Sequence, residues 1–187
     1  MNRHTYKLFL RNILYVIGII AICIFSPTKP EQLVQEAKNE LIKHRNLVPK
    51  SEYAILIDYK KSILKKRLWV INLNTEEVIV NTHVSHARKS GLLWPDSFSN
   101  EVGSEFSCTG VFRTLQAYRS NYGKGENAIG MRVQGLESTN NNAFTRNIVF
   151  HPSYGLYSKG CFMTLPKINK EIIELTKGGS LVYVVNN

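Results

Sequence analysis

The spacing of apolar residues along this chain changes character twice, and the two changes divide it into three stretches. The first, Ile13 to Phe25, is apolar and uncharged, follows Arg3, Lys7 and Arg11 with no acidic residue among them, and stops at the helix-breaking Ser26-Pro27. A basic flank ahead of an apolar run is the pattern of an export signal or membrane anchor. The run is short of the roughly 20 residues that span a bilayer, although counting from Leu8 lengthens it toward that figure. The second stretch has helical spacing. Leu33, Val34, Ala37, Leu41 and Ile42 fall on one face between Pro30 and Asn46, the other face is charged, and Pro49 lies beyond the end, so a helix packed on its own domain is expected there.

From Tyr53 the period shortens to that of strands. Tyr53 to Asp58, Arg67 to Leu73 and Glu77 to Val84 are rich in Ile, Val, Leu and Tyr, with a turn at Asn72 to Glu76, which predicts a three-stranded meander. Gly91 to Gly110 reads as a long loop of the kind that shapes a site. Strand character resumes at Phe112 to Tyr118, at Ile129 to Leu136 after the turn Tyr122-Gly123-Lys124-Gly125, and at Ile148 to His151. Pro166 to Lys177 reads as a helix closed by Gly178-Gly179, and Ser180 to Val185 as a last strand. The expected fold is mainly β with a few short helices. Its boundaries are a signal or anchor over residues 1–26, a helical linker packed on the domain over 27–50, and a catalytic-type domain over 51–187.

Composition narrows the partners. The 187 residues are 43% apolar, enough for a core, and carry a formal net charge of +10. That charge favours an acidic partner, whether nucleic acid, an anionic membrane face or an acidic polymer. Nucleic acid is set aside, because the basic run Lys60, Lys61, Lys65, Lys66, Arg67 has no interleaved aromatic set and reads as a solvated hairpin tip. Three cysteines, Cys23, Cys108 and Cys161, make neither a disulfide framework nor a Cys-x-x-Cys zinc pattern. His83 and His86, three apart on a strand, point to opposite faces and are not a metal pair. No metal or other cofactor is expected.

Chemistry concentrates at Ser158-Lys159-Gly160-Cys161, with His151 upstream at the end of an apolar run. A thiol attacks as thiolate, and its ordinary pKa of about 8.5 calls for a basic or positive neighbour. His151 and Lys159 are the candidates. Gly160 permits a sharp turn whose N–H groups would face a developing oxyanion. The bland alternative is a buried, inert cysteine after a turn. His86 would line a cleft or be a satisfied histidine. Arg132 and Arg146 would bind substrate carboxylates or serve as surface charge. Cys108 is either a buried structural thiol or an oxidative partner for Cys161.

With these residues in view, the chain from about Tyr53 onward resembles the YkuD-like murein L,D-transpeptidase catalytic domains. The resemblance rests on the order of several stretches: Val84-Ser85-His86-Ala87-Arg88-Lys89-Ser90-Gly91, Phe98-Ser99-Asn100, Gly110-Val111-Phe112-Arg113-Thr114, Arg132-Val133-Gln134-Gly135-Leu136-Glu137, Arg146-Asn147-Ile148-Val149-Phe150-His151 and Ser158-Lys159-Gly160-Cys161. It implies a β-sandwich or barrel in which Cys161 takes the acyl group of a peptidoglycan tetrapeptide stem, His151 is the base, and Gly160 shapes the turn. Beside it, the candidate substrate-binding residues read from the sequence are His86, Arg88, Arg132, Arg146, Ser158 and Lys159, and the basic flank ahead of the apolar run places the domain in the periplasm, with the inner membrane met through the N-terminal segment. The chain departs from the family pattern in four places. Only nine residues separate His151 from Cys161, Pro152 stands where Gly is usual, Lys159 where many members have a second His, and Phe162 where Pro is common. These leave three activities open: an acyltransferase, an L,D-carboxypeptidase or peptidoglycan hydrolase, and a peptidoglycan-binding protein with a relict site.

Overall fold

The structure, a computed structural model, describes residues 30–186. The basic flank, the apolar run and Cys23 lie outside the described residues. Among those described, no helix is long and apolar enough to cross a membrane.

Helix α1 (Pro30–Lys43) leads into β1 (Lys50–Asp58), β2 (Leu68–Asn72) and β3 (Glu77–Thr82), which form the expected antiparallel meander. The short β4 (His86–Ala87) precedes the loop to β5 (Gly110–Arg119) and β6 (Ile129–Gly135). Then come β7 (Val149–Pro152), β8 (Tyr157–Ser158), β9 (Phe162–Thr164), α2 (Pro166–Thr176) and β10 (Ser180–Val185). Eight strands make one sheet in the order β3-β2-β1-β10-β5-β6-β7-β9, and β4 pairs with β8 as a two-stranded ribbon. Two pairs in the large sheet, β1 with β10 and β7 with β9, are parallel.

The architecture is therefore mainly β, with one nearly closed sheet and two helices. Near-closure comes from the segment just after β3. Ser85 donates its backbone N–H to Met163 O on β9 (3.1 Å), and its Oγ accepts from Met163 N (2.9 Å), so the two ends of the sheet meet through one serine.

Both faces of the central strands are covered, which explains why β1 reads as a continuous apolar run. Ile55 and Ile57 face inward with Leu68, Phe112, Met131, Phe150, Phe162 and Val182, and α2 adds Ile172 and Ile173 to that core. Ala54 and Leu56 point the other way, into a second cluster with Trp69, Ile71, Val111 and Leu181, covered by Leu33, Val34 and Ala37 of α1. Helix α1 thus packs by the face its spacing predicts, although it ends at Lys43 and Ile42 is left exposed.

One expectation fails within the basic run. Arg67 is not part of a solvated tip but is fully buried. Its Nε and Nη2 donate to Val84 O (3.1 and 2.9 Å), Nη1 to Lys61 O (3.1 Å), and Nη2 also to His86 Nδ1 (2.7 Å), while the guanidinium lies 4.9 Å from the Tyr59 ring centroid. None of these bonds goes to a carboxylate. A buried cation is held when its donors are filled, and carbonyls fill most of these.

Candidate active site

Cys161 stands at the entry of β9, and the strand register decides what it faces. Phe150 pairs with Phe162 and His151 with Met163, so Cys161 is level with Val149. Phe150 and Phe162 point into the core with ring centroids 4.8 Å apart. Side chains alternate along strands, so Cys161 and His151 share the opposite face.

The turn before Cys161 needs glycine. Gly160 has φ +119°, and a Cβ there would lie 2.6 Å from Ile148 Cδ1 and 3.0 Å from Phe106 O. Its N–H is taken by Ser158 Oγ (3.1 Å), which closes the turn. That N–H therefore does not face an oxyanion position, contrary to expectation. Ser158 is in this way a turn residue, and Ser85 holds the other side of Cys161 by donating its Oγ to Cys161 O (3.1 Å).

Around the sulfur the influences oppose one another. Burial pushes the Cys161 thiol up from its ordinary value, while a hydrogen bond with the Val149 backbone and the charge of Arg146 draw it down. The thiol donates to Asn147 O at 3.6 Å. Asn147 has φ +55°, a conformation Asn tolerates better than most residues, and this aims its carbonyl at the sulfur.

His151 is buried, and burial lowers its pKa. Its Nδ1 lies 3.2 Å from Pro152 O. A carbonyl can only accept, so Nδ1 carries the proton and Nε2 keeps the lone pair. Tyr122 stacks on the imidazole at 4.3 Å between centroids. A neutral imidazole with a basic Nε2 is the state a general base requires.

The remaining candidates separate. Arg132 is exposed at the mouth, donating to Asn147 Oδ1 (3.2 Å) and lying over the rings of Tyr118 and Phe144. Arg146 is committed to the protein, donating to Ser99 O (2.6 Å) and Phe106 O (2.5 Å), and so braces the 91–109 loop beneath Gly160. His86 is fully buried; Arg67 is a donor to its Nδ1, so His86 donates Nε2–H to Gly91 O (3.0 Å) and is locked neutral. It supports the loop rather than lining a cleft. Arg88 stacks over Tyr157 at 4.9 Å.

Lys159 points away from the chemistry. Its side chain is 80% exposed and paired with Glu105 at 2.7 Å, a carboxylate that Lys89 also meets at 3.3 Å. The cation acting on the sulfur is Arg146, not Lys159. Cys108 is a free, buried thiol pushed up to about 11 by burial, and Cys161 is free as well. Among the described residues no group of three or more His, Cys, Asp or Glu could hold a metal.

Sequence reasoning missed Ser85, Tyr118, Tyr122 and Asn147 as site residues. Only Asn147 left a usable signal, an Asn placed immediately before a buried apolar run.

The sequence matches the L,D-transpeptidase catalytic domain family, YkuD_2, over residues 26–185. Similar solved structures include an L,D-transpeptidase from Stackebrandtia nassauensis (15% identity over 74% of this chain and 57% of that one, TM-score 0.46). Others are an L,D-transpeptidase of Enterococcus faecium (16%, 72% and 50%, TM-score 0.47) and L,D-transpeptidase 1 of Mycobacterium tuberculosis (12%, 72% and 62%, TM-score 0.43). The chain spans about half to three fifths of the length of these proteins. No curated protein matches it. With the family matched across nearly all of the described residues, the chain belongs to the L,D-transpeptidase catalytic domain family.

Proposed function

We propose that this protein is a cysteine acyltransferase that acts on peptidoglycan tetrapeptide stems through a thioester on Cys161. The observation that carries the reading is the parallel register of β7 and β9, which gives Cys161 and His151 a common face. His151 Nε2 takes the thiol proton as sulfur attacks the carbonyl of the third stem residue. The amide bond to the terminal D-Ala breaks, and the proton passes from His151 to the leaving amine. An acceptor amine then attacks the thioester, gives its proton to Nε2, and releases the thiolate. Arg132 pairs with a stem carboxylate at the mouth. Because burial raises the thiol, the thiolate is not formed in advance and the base has work to do.

The basic flank and apolar run at residues 3–25 support export to the periplasm, with the segment acting as a signal or inner-membrane anchor. A reporter fused after Pro30 should be active outside the cytoplasm; activity only inside it overturns the location.

Digested muropeptides incubated with the protein and analysed by mass should show new crosslinks and loss of D-Ala. Trimmed tripeptides without crosslinks mean a carboxypeptidase, and unchanged stems mean a binding protein. Cys161→Ala should remove the acyl-enzyme mass, whereas Cys108→Ala should retain it. The reverse pattern would show that the nucleophile has been misassigned.

A further inference from the structure

Exposed apolar side chains are unevenly distributed over the described surface. Leu64, Leu92, Leu93, Trp94, Tyr154, Leu156 and Leu165 are all exposed, and they come from three loops and the residue just before α2. The structure joins these loops. Leu64, Tyr154, Leu156 and Leu165 line one cavity of about 290 Å³ with Ile63 and His83. Ile63 N–H donates to Leu93 O (2.8 Å), and Tyr157 Oη donates to Leu92 O (2.9 Å), which fastens the 91–95 loop beside that cavity. A contiguous apolar patch with aromatic residues at its tips is costly to leave in water and marks an interaction surface.

The charge around it has one sign. Residues 59–75, 78–95 and 138–170, which supply the whole face, contain no Asp or Glu. The same segments carry Lys60, Lys61, Lys65 and Lys66 beside Leu64, and Arg88, which stacks on Tyr157. Acids that meet these segments stand at their edges: Asp58 takes the Lys60 backbone N–H, Asp96 follows Trp94-Pro95, and Glu105 pairs with Lys89 and Lys159, away from the Lys60–Lys66 turn. We propose that this face docks on the surface of an anionic lipid bilayer, with Trp94, Leu64 and Tyr154 at the head-group boundary and the lysines over the lipid phosphates. Apolar insertion of about 5–10 Å combined with a basic belt is how peripheral proteins hold such surfaces. Pairing of two copies through this face would set like charges against each other. A soluble polyanion would answer the charge and leave the apolar side chains in water.

Trp94 reports the contact. It is 48% exposed, whereas the other tryptophan, Trp69, is 6% exposed. The full chain is reconstituted in anionic or neutral phospholipid vesicles bearing a quencher near the head group, with Trp94→Phe as the blank for Trp69. The expected result is quenching of the Trp94 component in anionic vesicles and several-fold less in neutral ones. Lys60→Gln with Lys66→Gln should weaken the contact by about five-fold per charge removed while the unfolding midpoint stays put. Absence of quenching in anionic vesicles overturns the proposal, and so does equal quenching in neutral ones. Burial of Trp94 that grows with protein concentration before lipid is added assigns the face to a second copy instead. A shift of Trp94 emission by polyphosphate equal to that by vesicles assigns it to a soluble polyanion.

Discussion

The floor of the site and its mouth are built on opposite principles. Beneath Cys161, Arg146 is bonded to two loop carbonyls, Gly160 fills a space that no side chain can enter, and Ser85 bonds both Cys161 and Met163. At the mouth, Tyr122, Arg132 and Phe144 are exposed and held by stacking and one hydrogen bond. The two arginines make the contrast sharpest. Arg146 spends its donors on the protein and contributes a fixed charge to the sulfur, while Arg132 keeps most of its donors for solvent or a ligand. A floor whose donors are already occupied is held in place by the protein itself, and an open mouth leaves its donors to a ligand.

If this division is right, His151 at the junction of the two regions has the largest effect. His151→Ala should lower acylation by about 10²- to 10⁴-fold, as measured by single-turnover mass analysis. Its pKa is lowered from 6.5, so the base stays neutral to below that value and the acid limb of the wild-type profile should lie below pH 6.5. The sign for stability agrees. The unfolded chain takes up the proton first, so the contribution of His151 is complete above 6.5 and is lost as pH falls through the folded value, and the buried His86 acts in the same direction. An acid limb above 6.5 would contradict the buried, neutral imidazole.

Next comes the floor itself. Arg146→Ala leaves Ser99 O and Phe106 O without a donor, each costing about 1–3 kcal/mol if water cannot replace it, and should lower the denaturant midpoint along with the rate. A variant with normal stability and a raised KM would move Arg146 to the mouth. Arg132→Ala should do the opposite, raising KM for stem peptide roughly ten-fold with an unchanged midpoint, the scale of one charge-assisted hydrogen bond partly open to water. Smallest of all is Lys159→Ala. Its ion pair with Glu105 is exposed, so the pH dependence of Cys161 alkylation should match the wild type. A clear rise in the thiol pKa would mean that Lys159 reaches the sulfur after all.

Legibility followed the same boundary. The long strands and both helices were readable because each buries a regular face: Ile55 and Ile57 against Ala54 and Leu56, or Leu33, Val34 and Ala37 along α1. The short β4, β8 and β9 were not, since two or three residues carry no period and exist as strands only through their partners. Cys161, His151 and Gly160 stood out because their chemistry and conformational freedom are rare. The charged residues did not sort themselves. Arg67, Arg132, Arg146 and Lys159 look alike in a sequence, yet one is buried against carbonyls, one is open, one braces a loop and one pairs on the surface.

The sequence by itself determined the periods of the elements, marked Cys161 and His151 as the candidate nucleophile and base, and placed a glycine before the cysteine, because these depend on a residue's own covalent structure and its nearest neighbours. Only the tertiary structure decided which donors were already occupied. A guanidinium's role depends on which acceptors surround it, and those of Arg67 and Arg146 come from Lys61, Val84, His86, Ser99 and Phe106, most of them distant along the chain and brought close by the near-closure of one sheet.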